Sequence, residues 1–246
     1  MRVAAIGLFI SVIATAQVKI ILVGDSTVAP NNGWGPGFCP LLKLEAACVN
    51  LARNGRSSSS YRAEGLWDGV LQELKGPGEK YVLIQFGHND QPGKPGRSTD
   101  LATEFPANLR RYVEETRAAG GVPVLITSLT RRTFHKGKLD NDLVPWAEAT
   151  RKVAAEMKAP LLDLNAESAA AVEKMGPKEA NTLATAPVPM EIAAAAAGPD
   201  SPPAPKEGSN PFDYTHIGPK GAALFGKMVA RELCGAVPAL GKYFTF

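Results

Sequence analysis

The sequence predicts an α/β protein built on a parallel sheet with helices on both faces, and three observations carry that prediction. Five short apolar runs, at residues 19–23, 48–52, 81–86, 122–128 and 160–164, are each followed by a segment of helical character. Two of them, YVLIQF and VPVLITS, are nearly continuous in apolar residues rather than alternating, as strands covered on both faces are. Strand and helix then alternate along most of the chain, which calls for right-handed crossovers between parallel strands. A chain of 246 residues is long enough to bury a sizeable core around such a sheet.

Taken in order, the chain opens with Arg2, an apolar run at 3–13 and the small-x-small triplet Ala14-Thr15-Ala16. That run would make a helix of only about 16 Å, against roughly 30 Å of bilayer hydrocarbon. A membrane anchor is the competing reading, but a strand pattern starts at Val18 and leaves no room for a linker. Residues 1–16 are therefore expected to be a cleaved signal peptide, with 17–246 forming the domain of a secreted or periplasmic protein free of the membrane. The first strand ends in GDST, the second in RNGRSSS, the third in GHNDQ and the fourth in LTRRTFHK. Amphipathic helices are expected at 101–121, closed by Gly120-Gly121, and at 144–159, with Pro145 in the first turn. A further helix is expected at about 166–175. The Ala/Pro-rich stretch 176–211 then reads as a long loose loop, with a short helix in IAAAAAG. Residues 218–235 read as a closing helix, and no internal repeat is present.

Composition excludes more than it selects. Hydrophobic residues make up 45% and charged residues 21%, the proportions of an ordinary globular protein. A net charge of +3, with no basic run interleaved with aromatics, argues against a nucleic-acid partner. The three cysteines, Cys39, Cys48 and Cys234, lack metal-ligand spacing; export permits one disulfide, and the sequence does not choose the pair. No metal or cofactor is expected, and a monomer is.

Ligands on open α/β sheets sit beyond the carboxyl ends of the strands, and there the reactive residues fall. Ser26, in GDST, lies at a strand-to-loop corner able to present its hydroxyl and its own N–H; the competing reading is a helix cap. A serine hydroxyl needs a base to take its proton, and an imidazole base needs a carboxylate to fix its tautomer. Asp213 and His216, three positions apart before the last helix, could supply both. His88 and His135 also follow strands, but neither has a carboxylate three positions earlier. Gly55, in RNGRSSSS, and Asn89, in GHND, could donate to an oxyanion, although glycine turns and Asn-Asp loops are common connectors.

Together these blocks resemble the SGNH (GDSL-like) hydrolases. The finer pattern is similar to the rhamnogalacturonan acetylesterase branch: GDST, GWG at 33–35, NGRSSSSY, IQFGHND and RRTF at 131–134. The resemblance runs from about Ile20 to Phe134 and resumes at Asp213; the 176–211 stretch departs from it. It implies a three-layer α/β/α sandwich with a five-stranded parallel sheet of flavodoxin-like order 2-1-3-4-5. It also implies Ser26 as nucleophile, His216 as base, Asp213 as its partner, and an oxyanion hole made by the Ser26 N–H, the Gly55 N–H and the Asn89 side chain. The implied activity is a serine esterase that removes O-acetyl groups from a plant cell-wall polysaccharide, foremost acetylated rhamnogalacturonan. The alternatives are an acetylxylan or broad short-chain esterase or lipase, and a noncatalytic polysaccharide-binding protein of the same fold. Arg56, Arg62, Lys94, Arg97, Arg131 and Arg132 lie in or beside the strand-end loops and could attract an acidic polysaccharide, or could be ordinary surface charges. Trp34 and Tyr61 could stack on sugar rings or pack inside. Asp25, Arg56, Trp34 and His88 are the candidate substrate contacts.

Overall fold

The computed structural model describes residues 18–195 and 212–246, so the expected signal peptide and the end of the Ala/Pro-rich stretch lie outside the described residues. The elements run β1 (Val18–Gly24), α1 (Gly35–Phe38), β2 (Ala46–Asn50), α2 (Ser60–Ala63), α3 (Leu66–Glu73) and β3 (Glu79–Gln85). They continue with α4 (Glu104–Ala118), β4 (Val122–Ile126), β5 (Phe134–His135), β6 (Lys138–Leu139), α5 (Val144–Met157), β7 (Leu161–Leu162), α6 (Leu164–Asn181), α7 (Met190–Ala195) and α8 (Pro219–Ala236). The main sheet is parallel throughout, in the order β2-β1-β3-β4-β7. That is the expected order. The small antiparallel hairpin β5–β6, which the sequence reading did not anticipate, only moves the fifth sheet strand to seventh place in the chain.

Alternation along the strands divides the core. Ile20 and Leu22 of β1, Leu83 of β3, and Val124 and Ile126 of β4 face one layer, where they meet Phe38, Val172, Phe225, Val229 and Leu233 from α1, α6 and α8. Ile21 and Val23, Val82 and Ile84, and Leu125 face the other, against Trp67, Val70, Leu109, Tyr112, Val113 and Val153 from α3, α4 and α5. Burial on both sides is why these strands read as unbroken apolar runs. Among the described residues, no helix is long and apolar enough to cross a membrane.

Two features fix the edge near β2. Helices α1 and α8 cross in backbone contact: a Cβ on Gly37 would lie 1.9 Å from the Ala222 carbonyl oxygen, and one on Gly226 would lie 2.4 Å from the Gly37 carbonyl carbon. Only glycine permits that approach. Cys39 and Cys48 form a disulfide that ties the end of α1 to β2, and Cys234 is the free thiol.

The Ala/Pro-rich stretch is more ordered at its start than expected. Helix α6 extends to Asn181 rather than ending near 175, with a break at Gly176 (φ 69°, ψ 169°) after which Pro177 opens a second helical piece. Gly176 and Pro177 read as terminators in the sequence, but proline is also a favoured first residue of a helix, and here it restarts one. The short alanine helix is seen over Met190–Ala195, beginning before Ile192, and the rest of IAAAAAG lies outside the described residues.

Candidate active site

The turn after β1 sets Ser26 at the carboxyl end of the strand, where the residue is largely buried. The Asp25 carbonyl accepts the N–H groups of Val28 (3.2 Å) and Ala29 (3.1 Å), and Asp25 Oδ1 accepts the Thr27 N–H (2.8 Å) and hydroxyl (2.7 Å). Asp25 thus pulls the chain around itself from both its backbone and its side chain. The Ser26 N–H is left without a backbone acceptor among the described residues. Behind the turn runs a buried relay: Trp34 Nε1 donates to Gln85 Oε1 (2.9 Å), and Gln85 Nε2 donates to Thr27 Oγ1 (2.6 Å). Trp34 and Asp25 are completely buried, so the expectation that they touch substrate is corrected. Both are the internal bracing of the Ser26 turn. Tyr61 is also fully buried, its hydroxyl donating to the Leu51 carbonyl (2.9 Å), which removes it as a sugar-stacking residue.

His216 reaches that turn from across the chain. Its Nε2 lies 2.7 Å from Ser26 Oγ, 190 positions earlier in sequence, and its Nδ1 lies 2.6 Å from Asp213 Oδ2. The other carboxylate oxygen, Asp213 Oδ1, accepts the N–H groups of Thr215 (2.8 Å) and His216 (2.9 Å), so one carboxylate shapes the loop and orients the ring. Burial pushes the Asp213 carboxyl up, but the imidazole and these N–H donors outweigh it and hold the group well below the usual carboxylate range. Asp213 is therefore ionised across the neutral range. His135, on the exposed hairpin, takes no part in this arrangement.

The candidate donors come from the loops after β2 and β3. Gly55 has φ +76°, a conformation that a side chain would strain, in a turn anchored by the Arg53 N–H on the Gly24 carbonyl (3.0 Å). Asn89 Nδ2 donates to the Arg56 carbonyl (3.1 Å), next to Gly55, and Arg97 Nη1 donates to Asn89 Oδ1 (3.4 Å). An amide nitrogen carries two hydrogens, so the second remains for an oxyanion. Asp90 locks these two loops together, accepting the Gly87 N–H (3.0 Å), the Ser58 N–H (3.0 Å), the Ser58 hydroxyl (2.5 Å) and the Thr99 hydroxyl (3.0 Å). Burial pushes the Asp90 carboxyl up to about 6 against the pull of these donors. The sequence reading missed Asp90, although it stands inside the GHND block; nothing local shows that its partners come from the preceding strand-end loop.

His88 is buried with Nδ1 3.5 Å from Asp25 Oδ2, and desolvation pushes its pKa down against the attraction of that carboxylate. It is a buried neutral ring beside Asp25, so the expectation that it touches substrate is corrected as well. Most of the expected cationic rim is already neutralised or displaced. Arg56 pairs with Glu64 (2.6 Å), Arg62 with Glu115 (2.7 Å) and Arg131 with Asp142 (2.6 Å), while Arg132 is 1% exposed. Arg97 makes no ion pair among the described residues, and its guanidinium lies 3.6 Å from where a Gly55 Cβ would be. Among the described residues, no three His, Cys, Asp or Glu side chains group as metal ligands.

Comparison with known proteins agrees with this geometry. The model of the GDSL-like Lipase/Acylhydrolase family matches residues 22–187. The rhamnogalacturonan acetylesterase RhgT of Bacillus subtilis (strain 168) is 33% identical over 224 residues, covering 88% of this chain and 89% of that protein. YesY of the same organism, named a probable rhamnogalacturonan acetylesterase, is 30% identical over 87% of this chain and 91% of its own length. Among solved structures, protein YxiM of Bacillus subtilis superposes with a TM-score of 0.66 at 23% identity, covering 87% of this chain and 55% of that one. With a family match over most of its length and relatives at this identity, the chain belongs to the GDSL-like lipase/acylhydrolase family.

Proposed function

We propose that the protein is a carbohydrate acetylesterase whose substrate is acetylated rhamnogalacturonan, exported to an oxidising compartment. The observation that carries the catalytic reading is the continuous Asp213–His216–Ser26 chain, with links of 2.6 and 2.7 Å. In this reading His216 Nε2 takes the Ser26 proton as Oγ attacks the acetyl carbonyl, and Asp213 steadies the imidazolium that forms. The tetrahedral oxyanion is received by the Ser26 N–H, the Gly55 N–H and the free Asn89 N–H. His216 then gives its proton to the departing sugar oxygen, leaving an acetyl-serine that water hydrolyses by the same route in reverse.

The polysaccharide class rests on the two curated relatives, which are named for rhamnogalacturonan and match nearly the whole chain. Arg97, bonded to Asn89 and without an acidic partner among the described residues, supports an anionic polymer over a neutral one. The Cys39–Cys48 disulfide supports export, since such bonds persist where the surroundings are oxidising. The test is acetate release from acetylated rhamnogalacturonan and from acetylated xylan, with wild type and Ser26→Ala in parallel. Faster release from rhamnogalacturonan, abolished by Ser26→Ala, is expected. Equal or faster release from xylan would overturn the substrate, and full activity of Ser26→Ala would overturn the nucleophile.

A further inference from the structure

The loop that carries the base has little regular structure of its own. It follows the end of the Ala/Pro-rich stretch and runs from Phe212 to Gly218 before α8 begins. Its N–H groups at Thr215 and His216 are taken by Asp213 Oδ1. The carbonyls of residues 213–216 are taken by one residue. Arg132 Nη2 donates to the carbonyls of Asp213 (2.6 Å) and His216 (3.0 Å), Nη1 reaches that of Thr215 (3.4 Å), and the Arg132 backbone N–H donates to that of Tyr214 (2.9 Å). Four successive carbonyls, 213 to 216, therefore converge on a single residue from the loop after β4. Neighbouring Arg131 adds a bond from Nε to the Thr215 hydroxyl (3.1 Å).

We infer that Arg132 is the positioning residue of the catalytic base, its planar fork gathering the carbonyls of Asp213, Thr215 and His216 so that the His216 imidazole is held against Ser26. The inference rests on the Ser26–His216–Asp213 reading given above.

The physical case is that a buried guanidinium is costly unless its hydrogens are satisfied. Arg132 is 1% exposed and makes no ion pair within the described residues; the carbonyl oxygens of this loop satisfy its Nη1 and Nη2, while its Nε has no hydrogen-bond partner among the described residues. Burial lowers its pKa to about 10, which leaves it charged at neutral pH. With three loop carbonyls on its terminal nitrogens and the Asp213 carboxylate attracting its charge, the guanidinium holds the loop folded around it. A lysine offers a single compact ammonium and cannot span three carbonyls in a plane, so arginine is the residue that suits this task. The guanidinium touches neither the reacting oxygen nor the imidazole nitrogens; it acts through the main chain that carries them.

The test compares wild type with Arg132→Lys and Arg132→Met, alongside Ser26→Ala and His216→Ala. Steady-state kinetics on p-nitrophenyl acetate are combined with the far-downfield proton resonance of the His216–Asp213 hydrogen bond. Misplacing a reacting group by about an ångström costs on the order of 10²-fold in rate. Arg132→Met is expected to lower kcat by about that factor with KM little changed, and to lose or shift the resonance; Arg132→Lys is expected to recover part of both. A folded Arg132→Met with wild-type kcat and resonance, even if its Tm is lower, overturns the inference. If Arg132→Met does not fold, Arg132→Lys decides: wild-type kcat in that variant overturns the inference equally. Should Ser26→Ala or His216→Ala keep full activity, it is the triad reading that fails.

Discussion

Replacing Asp213 by asparagine perturbs one proton and little else, so its consequence can be worked from the geometry. Asparagine has two orientations available. With its oxygen kept at the Oδ1 position it retains the bonds from the Thr215 and His216 N–H groups, at 2.8 and 2.9 Å, and places its NH₂ against His216 Nδ1. That NH₂ can only donate, so Nδ1 must accept and the ring proton moves to Nε2. There it points at Ser26 Oγ, 2.7 Å away, and the ring can no longer take the hydroxyl proton. The flipped orientation restores the oxygen to Nδ1 but sets the NH₂ against two N–H donors, leaving both unpaired at about 1–3 kcal/mol each. The first orientation prevails, and with it the wrong tautomer. A wrong tautomer of this kind lowers kcat by roughly 10⁴, or about 5.5 kcal/mol at 1.36 kcal/mol per decade. Stopped-flow measurement of acetyl-enzyme formation from p-nitrophenyl acetate reads the loss directly, with KM expected to change little. Retention of kcat within about threefold of wild type would show that His216 does not act as a base oriented by Asp213.

Three further outcomes follow from the same geometry. Asn89→Ala removes the side-chain oxyanion donor proposed above and should lower kcat by about 10²–10³ on acetate-ester substrates; a loss under about fivefold would remove Asn89 from the oxyanion hole. Trp34→Phe deletes the donor to Gln85 Oε1 in a dry site, at about 1–3 kcal/mol, so Tm should drop by roughly 2–10 °C; calorimetry showing no drop would mean the relay behind Ser26 is not holding the turn. For Asp90 the folded carboxyl is raised to about 6, so its protonated form is favoured by folding, and this contribution is lost as pH rises from the unfolded value near 4 through 6. The stability of wild type relative to Asp90→Asn should therefore shrink by up to roughly 3 kcal/mol between pH 4 and pH 7. Urea unfolding at the two pH values checks this, and a gap that widens instead would reverse the assignment.

The sheet was legible because its strands are buried on both faces: YVLIQF and VPVLITS have no polar side to hide them. The motif residues were legible because a parallel sheet forces every strand to end on the same side, so four separate blocks had to share one rim. What the sequence withheld is long-range partnership. Trp34 and Tyr61 look the same in sequence whether they face a sugar or the core, and only the packing against Gln85 and Leu51 decides. Three cysteines allow three pairings, and the choice of Cys39 with Cys48 depends on α1 lying beside β2. Arg132 and Asp90 act on residues 81 and 32 positions away, with no local pattern to announce it. The continuation of α6 past Gly176 was hidden for the opposite reason, since a glycine followed by proline marks a stop and a start alike.

The contact between α1 and α8 at Gly37 and Gly226 has a kinetic meaning for biogenesis. The hydroxyl is delivered by the first strand and the imidazole by the segment leading into the last helix, so a chain still being made holds only half of the proposed machinery. Esterase activity is therefore expected to appear only once the carboxyl-terminal helix has seated against those glycines, and a bulky residue at either one, which would meet backbone atoms, is expected to obstruct that seating.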